Sequence, residues 1–220
     1  MNEPELRKVI VKVCHLLHQK GLVAATDGNV SARLFKNFLV TPSGCSKGFL
    51  EPEDLLIVDQ EGKVVRSGSS KGKTTSEWRM HAAIYRERPD AMAVVHAHPP
   101  WTTACSLAGL SLEEAVLPEV YLTLGAIPTL PYATPSSSEG AEAIAFPIRN
   151  HDAVVLDRHG AIALGKDVAS AYYKIEKIEH TAQVIAIGRF LGVSSQGVRT
   201  LDSDEKIRLI GVGRQLGLFH

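Results

Sequence analysis

A His-Ala-His sequence carries the strongest local signal for chemistry in this chain. His96 and His98 are separated by one residue, at the end of an apolar run, 91–98, that predicts a β-strand. Side chains alternate between the faces of a strand, so both imidazoles point the same way, with their bases about 7 Å apart. Two nitrogens at this spacing can bind one metal ion, although two solvent-facing histidines would give the same pattern.

A catalytic metal site needs a further ligand, and His159 is the best candidate among the other histidines. It precedes Gly160 in a tight turn between two apolar segments, where glycine permits a close approach of the backbone. His81 is predicted to pack within a helix, and the remaining histidines fall in predicted helix, loop or tail positions. Three histidines with an open position are typical of a catalytic zinc site rather than a structural one.

Glu77 is the carboxylate of most interest, because it lies just before the histidine strand in the sequence. It follows Thr75 and Ser76 at the predicted start of a helix that ends at Arg88. A negative charge there would stabilise the helix N-terminus without any further role. The functional alternative is a base beside the metal, and the residue pattern leaves both interpretations open.

Three polar loops carry neutral hydrogen-bond donors, in the pairs Gly28-Asn29, Ser43-Gly44 and Thr75-Ser76. The backbone N–H groups of the last pair precede a predicted helix and could bind an anion. Ordinary turn and capping interactions would explain the same residue types. Positive charge could come from nearby lysines, which are Lys47, Lys71 and Lys73.

Composition places the chain among ordinary globular proteins. Its 220 residues are 45% hydrophobic and 22% charged, with a net charge of zero, which favours one domain over residues 1–220 and excludes a disordered chain. No basic excess supports nucleic-acid binding, and no apolar run is long enough to cross a membrane. The three isolated cysteines and the charged N-terminus, which lacks the apolar stretch of a signal peptide, predict a cytoplasmic protein.

Helices and strands are predicted to alternate irregularly, which favours a mixed sheet covered by helices. Helices are predicted over 4–20, from the Thr74–Ser76 segment to Arg88, and over 101–107, 167–190 and 204–216, with one more starting near Ser136. Strands are predicted at 38–40, within a strand pair, and at 55–58, 64–65, 91–98, 127–132, 153–156 and 161–164.

Several segments occur together in an order that resembles the class II aldolase/adducin family, of the fuculose-phosphate aldolase type. They cover nearly the whole chain, and their combination is far more specific than any one motif. They are TDGNVSAR at 26–33, VTPSG at 40–44, TSE at 75–77, Tyr85 with RPD at 88–90, AVVHAH at 93–98, and HG at 159–160.

The resemblance implies a role for each candidate residue. A divalent metal, normally zinc, is held by His96, His98 and His159. Glu77 transfers the proton and also contacts the metal when substrate is absent. A substrate phosphate is bound by the residues of the three polar loops, which are Gly28, Asn29, Ser43, Gly44, Thr75 and Ser76.

The resemblance also implies a fold, a reaction and an assembly. The fold is a three-layer α/β/α arrangement around a mixed, largely antiparallel sheet. The reaction cleaves a ketose 1-phosphate, a small phosphorylated sugar, into dihydroxyacetone phosphate and an aldehyde through a metal-stabilised enediolate. Members are commonly homotetramers with active sites at subunit interfaces. The family's aldolases use a tyrosine as a further acid, and in the segment 118–128 Tyr121 is the candidate.

Four alternatives remain at this point. Epimerases and dehydratases of sugar phosphates use the same scaffold, although no Thr-His-Ala-Asp-Tyr-Phe stretch of the epimerase type occurs here. A non-catalytic, adducin-like module would keep the fold without the metal site, and the presence of the three histidines and Glu77 argues against it. The last alternative is an unrelated α/β domain whose histidines are accidental, and the joint spacing of the motifs disfavours it.

Overall fold

One eight-stranded sheet organises the chain. The computed structural model describes residues 1–69, 72–114, 116–192 and 198–215. The strands are β1 (Asn29–Leu34), β2 (Asn37–Val40), β3 (Leu56–Val58), β4 (Val64–Arg66), β5 (Ala93–Ala97), β6 (Thr129–Leu130), β7 (Ala153–Leu156) and β8 (Gly160–Gly165). The helices are α1 (Glu3–Gln19), α2 (Trp78–Glu87), α3 (Pro100–Leu107), α4 (Pro118–Leu124), α5 (Ser138–Ala145), α6 (Val168–Leu191) and α7 (Ser203–Gln215), with short 3₁₀ helices at Pro52–Asp54 and Pro147–Arg149.

The sheet is mixed and largely antiparallel, as predicted. Its strand order is β4-β3-β2-β1-β5-β8-β7-β6, which puts β5 between β1 and β8. The pairing of β6 with β7 is parallel, and each of the other neighbouring pairs is antiparallel. The strand that carries His96, β5, is therefore a central strand of the sheet.

Helices cover both faces of the sheet, which gives the predicted three layers. On one face, β5 contributes Val95 to a core that it shares with residues of α1 and α6. On the other face, Val94 packs with Ile84 of α2 and Ile144 of α5. This alternation follows from the two-residue period of a strand. It directs His96 toward α2, on the same face as Val94.

The observed elements differ from the predicted ones mainly where the segments are short. The extended segment at 127–132 keeps only β6, because Pro128 and Pro131 flank it and proline has no N–H for a sheet. Helix α4 was not predicted, although it begins at Pro118 and ends before Gly125, whose φ is +66°. The predicted end of the last helix, Leu216, lies outside the described residues.

Helix α6 is the longest element, with 24 residues. Charged side chains, Lys174, Glu176, Lys177 and Glu179 among them, interrupt its apolar surface. Within the described ranges, no helix combines the length and the apolar character that a bilayer crossing requires.

Candidate metal centre

Four side chains meet at the end of β5 where the strand leaves the sheet. His96 is fully buried on the face covered by α2, and His98 follows immediately after the strand, partly exposed. His159 lies in the turn between β7 and β8. Glu77 is the residue directly before α2 and is 7% exposed. The pattern His-Ala-His, the turn histidine and the residue before the helix are thus brought together from distant parts of the chain.

The three imidazoles form a symmetric group. Their ring centroids are 4.8 Å apart in each of the three pairs, and the rings are inclined by 61–64°. The Nε2 atoms of His96 and His98 are 3.0 Å apart. Glu77 places Oε2 3.1 Å from Nε2 of His96 and Oε1 3.2 Å from Nε2 of His159. One ligand atom from each of the four residues lies within 4.8 Å of the others.

Two glycines allow the neighbouring strands to come this close to the end of β5. A Cβ on Gly160 would lie 2.2 Å from the carbonyl oxygen of Ala97, and a Cβ on Gly28 would lie 2.8 Å from that of His96. Both residues also have positive φ, +148° and +71°, which a larger side chain disfavours. Glycine at these two positions therefore brings His159 and Asn29 to the histidine pair from opposite sides.

The hydrogen bonds indicate that a positive charge belongs among these atoms. His96 donates Nδ1–H to the carbonyl oxygen of Ala161 at 2.9 Å, so its Nε2 faces Nε2 of His98 and Oε2 of Glu77. A proton or a metal cation must lie between these electron-rich atoms. Oε1 of Glu77 is buried and has no hydrogen bond within the described residues. Imidazole and carboxylate ligands of this number and closeness fit a divalent cation.

The pKa shifts follow from the same crowding. Burial acts to raise the pKa of Glu77, but His96, His159 and Asn29 hold it well below its usual range. Burial acts to lower the pKa of His96, and Glu77 raises it above its usual value. Burial and the neighbouring His96 and His159 lower the pKa of His98 to about 3. Glu77 is therefore ionised, and His98 is neutral and free to act as a ligand.

A cavity of about 300 Å³ opens beside these four residues. All six residues of the three predicted phosphate loops line it. Glu77, His98 and His159 line it as well, so the cavity joins the three loops to the group of imidazoles. The loop residues are Gly28, Asn29, Ser43, Gly44, Thr75 and Ser76.

The family is decided by sequence comparison. The family model described as Class II Aldolase and Adducin N-terminal domain matches residues 8–186. The chain belongs to this family. Its class II aldolase members depend on a metal, and the group formed by Glu77, His96, His98 and His159 could hold one.

Curated relatives and solved structures agree with this membership. The chain is 37% identical to an L-fuculose phosphate aldolase of Methanococcus vannielii, over 80% of this chain and 93% of that protein. It resembles the L-fuculose-1-phosphate aldolase of Thermus thermophilus with a TM-score of 0.77 and 33% identity, over 87% of this chain and 98% of that one. It also resembles YgbL of Klebsiella pneumoniae, described as a candidate aldolase/epimerase/decarboxylase, with a TM-score of 0.84 and 29% identity, over 95% and 99% of the two chains.

A buried hydrogen-bond chain supports Glu77 in this class II aldolase family member. Asn29 donates Nδ2–H to Oε2 of Glu77 at 2.8 Å, and its Oδ1 accepts from Nε2 of His81 at 2.5 Å. Nδ1 of His81 then accepts from the hydroxyl of Ser31 at 2.7 Å, and this hydroxyl also contacts that of Tyr85. Burial and His96 lower the pKa of His81 to about 3, so His81 is neutral. The chain of donors and acceptors then has one consistent direction, ending at Glu77.

Sequence reasoning missed other residues of the cavity wall. Ser136 lines the cavity and donates its hydroxyl to Oγ of Ser76 at 2.9 Å. The serine run that follows Pro135 predicts only the start of a helix. Nothing in the sequence indicates the left-handed backbone of Ser136, whose φ is +63°. The wall also contains Thr26, Asp27, Pro42 and Pro135.

Three further candidates lie elsewhere or are not described. Tyr121 lies on α4 and does not line the cavity of its own chain. Lys73 is exposed, and Lys71 lies outside the described residues. Of the three lysines that the sequence pointed to, Lys47 is the one found in the cavity wall.

Proposed function

We propose that this chain is a metal-dependent aldolase that cleaves a ketose 1-phosphate, similar to fuculose 1-phosphate, into dihydroxyacetone phosphate and an aldehyde. The observation that carries the proposal is one cavity with two chemically different ends. At one end Glu77 meets three imidazoles, and at the other three loops present neutral donors. The name of the Methanococcus vannielii relative supports the choice of substrate.

The metal is proposed to be Zn²⁺, held by His96, His98 and His159, with Glu77 as a further ligand when substrate is absent. Imidazole and carboxylate are ligands that zinc prefers, although other divalent ions accept the same set. When bound, such an ion supplies Lewis acidity for the negative charge that develops on the substrate's oxygens. The hydrogen bond from Nδ1 of His96 to Ala161 fixes the ring so that Nε2 faces the site.

Glu77 is proposed to transfer the proton at the substrate carbon. When the C3–C4 bond of the ketose breaks, its electron pair remains on C3 and is delocalised onto oxygen as an enediolate. As this bond breaks, the C4 hydroxyl loses its proton and C4 leaves as the aldehyde carbon. One proton passed to C3 by Glu77 then gives dihydroxyacetone phosphate, so the reaction neither gains nor loses a proton overall. Asn29 holds Oε2 of Glu77, whereas Oε1 lacks a hydrogen bond within the described residues, so Oε1 is the oxygen that handles the proton.

The phosphate is proposed to bind in the three loops. Backbone N–H groups and hydroxyls of Gly28, Ser43, Gly44, Thr75 and Ser76 would surround it, with the amide of Asn29 at the boundary with Glu77. These contacts would bind and orient the substrate, without taking part in bond breaking.

The assembly and location are proposed from the family resemblance. We expect residues 1–220 to form one catalytic domain, in a cytoplasmic homotetramer with active sites at the interfaces. Tyr121 lies outside the cavity of its own chain, so its proposed role as the second acid depends on a neighbouring copy. Light scattering of the purified protein measures the oligomeric state directly.

The test is an assay of dihydroxyacetone phosphate release from fuculose 1-phosphate. We expect cleavage by the metal-loaded protein, and we expect Glu77→Gln to lower turnover by about 10²- to 10⁴-fold, since that is the usual contribution of a general acid or base. Metal content should be unchanged in this variant, because the amide keeps an oxygen at the same place. Near-normal turnover of Glu77→Gln would remove Glu77 from the chemistry.

The same assay separates the alternatives on this scaffold. Loss of substrate without release of dihydroxyacetone phosphate would favour epimerisation or dehydration. Absence of both metal and turnover would favour a non-catalytic, adducin-like module.

A further inference from the structure

Lys47 is a buried cation that has no part in the reaction proposed above. The residue is 1% exposed and is among the largest fully buried side chains of the described chain. It nevertheless lines the cavity, together with the loops of Gly28-Asn29 and Ser43-Gly44. A lysine is almost never buried to this extent unless its charge is paired. The ammonium group of Lys47 is therefore expected to have an anionic partner.

The described residues satisfy only part of the hydrogen-bonding capacity of this ammonium group. Nζ donates to the carbonyl oxygens of Thr26 at 2.9 Å and of Cys45 at 2.8 Å. An ammonium has three N–H donors, and the described residues provide no carboxylate within 4.0 Å of Nζ. Removing an unpaired charge from water is strongly unfavourable, so an anion is needed to complete this site. Burial accordingly lowers the pKa of Lys47.

The position of Nζ connects two of the proposed phosphate loops. Thr26 lies two residues before Gly28, and Cys45 directly follows Gly44. Nζ therefore lies where these two loops meet, beneath the groups that are proposed to bind the phosphate.

The charge balance of the cavity wall leads to the same conclusion. Among the described residues of that wall, Lys47 is the single lysine or arginine, whereas Asp27 and Glu77 are both acidic. Without Lys47, a phosphate dianion would meet only neutral donors, in a cavity whose wall also carries two carboxylates. Charge-assisted hydrogen bonds are about twice as strong as neutral ones, so one ammonium group changes this balance substantially.

We propose that Lys47 is a substrate-binding residue whose ammonium group donates to the phosphate of the bound sugar from beneath the two loops. The inference rests on the proposed function, because it takes the anion to be the phosphate of that substrate. A purely structural role, in which Nζ only links the two carbonyls, is the competing explanation.

The experiment measures binding of inorganic phosphate to the metal-loaded protein by calorimetry. We expect Lys47→Met to weaken this binding by about 10- to 100-fold, as for loss of a hydrogen bond to a charged group. KM for fuculose 1-phosphate should rise by a similar factor, with a smaller change in kcat. Lys73→Met is the matched control, because Lys73 is an exposed lysine whose carbonyl oxygen accepts from Ser43. We expect this control to bind phosphate like the wild type.

Two more variants separate charge from loop geometry. Lys47→Gln keeps N–H donors for the carbonyls but removes the charge, and we expect it to bind phosphate as weakly as Lys47→Met. Lys47→Arg keeps the charge and should bind phosphate more tightly than either. These two variants also carry the test if Lys47→Met does not fold.

Each other outcome overturns a different claim. Wild-type phosphate affinity in Lys47→Met or in Lys47→Gln would overturn the role of the Lys47 charge. No measurable phosphate binding by the wild-type protein would instead overturn the phosphate end of the proposed function.

Discussion

The two ends of β5 each carry a cluster of charged side chains, and only one of these clusters is fully paired. At the start of the strand, Arg88 donates to Asp90 at 2.8 Å and to Asp152 at 2.9 Å. Lys174 of α6 donates to the second oxygen of Asp152 at 2.6 Å and to the carbonyl oxygen of Leu164 at 2.9 Å. Each charge in this paired cluster faces an opposite one, so no ligand is required.

The cluster at the other end of β5 is incomplete. Nitrogen and oxygen atoms of His96, His98 and Glu77 face one another at 3.0–3.1 Å, and Oε1 of Glu77 lacks a hydrogen bond within the described residues. Nζ of Lys47 is buried, and no carboxylate of the described residues lies within 4.0 Å of it. The side chains of this open cluster could take up a cation at the imidazoles and an anion at Lys47.

The two clusters therefore contribute in different ways, although both lie at ends of the same strand. A paired cluster contributes to stability by itself, whereas an open cluster costs stability until its ligands bind. A cation and an anion that complete the open cluster are what a metal-loaded aldolase with a phosphorylated substrate would provide. Substitutions at the two ends should therefore separate effects on ligand binding and turnover from effects on folding.

The largest expected effect comes from removing a ligand of the open cluster. We expect His96→Ala to lose bound metal, with a fall in metal affinity of more than about 100-fold, since changes to the outer partners of such ligands already cost 10- to 100-fold. Turnover should fall with it. Elemental analysis of the purified variant measures metal content.

His180→Ala provides the matched control for this change. His180 is an exposed histidine of α6, so its removal should leave metal content at the wild-type level. Full metal occupancy in His96→Ala would contradict the assignment of this ligand.

An intermediate effect is expected from the buried chain beneath Glu77. His81 donates Nε2–H to Asn29, which orients the amide that holds Glu77. His81→Asn should lower kcat by about 10-fold with metal content retained, because its amide reaches only the position of Nδ1. His81→Gln places an amide N–H near the position of Nε2 and should retain most of the activity. Equal kcat values for the two variants, measured at saturating substrate, would show that this hydrogen bond does not position Glu77.

The grouping of the three histidines could be predicted from the sequence because its signals are local. His96 and His98 share a face through the two-residue period of a strand, and Gly160 marks the close approach of the turn that carries His159. The distances between these residues required the order of strands β1, β5 and β8, which no local pattern contains.

The buried chain beneath Glu77 was harder to predict, because its polar residues resemble a solvated strand face. In β1, Asn29, Ser31 and Arg33 alternate with the apolar residues that face α1 and α6. Such alternation usually means that one face is in water. Here α2 covers the polar face, so the hydrogen bonds of Asn29 and Ser31 are made with His81 instead. Only the packing of α2 on the sheet reveals this.

A smaller effect, on folding rather than activity, is expected at the paired cluster. Asp152→Asn should lower the free energy of unfolding by about 1–2 kcal/mol at pH 7, because hydrogen bonds to charged groups contribute about 1.5–3 kcal/mol and this carboxylate is partly in water. Asp90→Asn is the control, since the more exposed Asp90 has Arg88 as its partner and should cost less than about 1 kcal/mol. Urea unfolding of the metal-free protein measures both, and metal binding should be unchanged.

The pH dependence of this difference gives the finest test of the paired cluster. Burial acts to raise the pKa of Asp152, but Lys174 and Arg88 hold it below its usual value. A carboxylate whose pKa is lower in the folded state stabilises the protein fully above the unfolded pKa of about 3.9 and loses this contribution as pH falls through the folded pKa. The difference in unfolding free energy between wild type and Asp152→Asn should thus be constant from about pH 6 to 8 and shrink below about pH 4. A difference that grows toward low pH would mean that Asp152 is not held ionised by its two cationic neighbours.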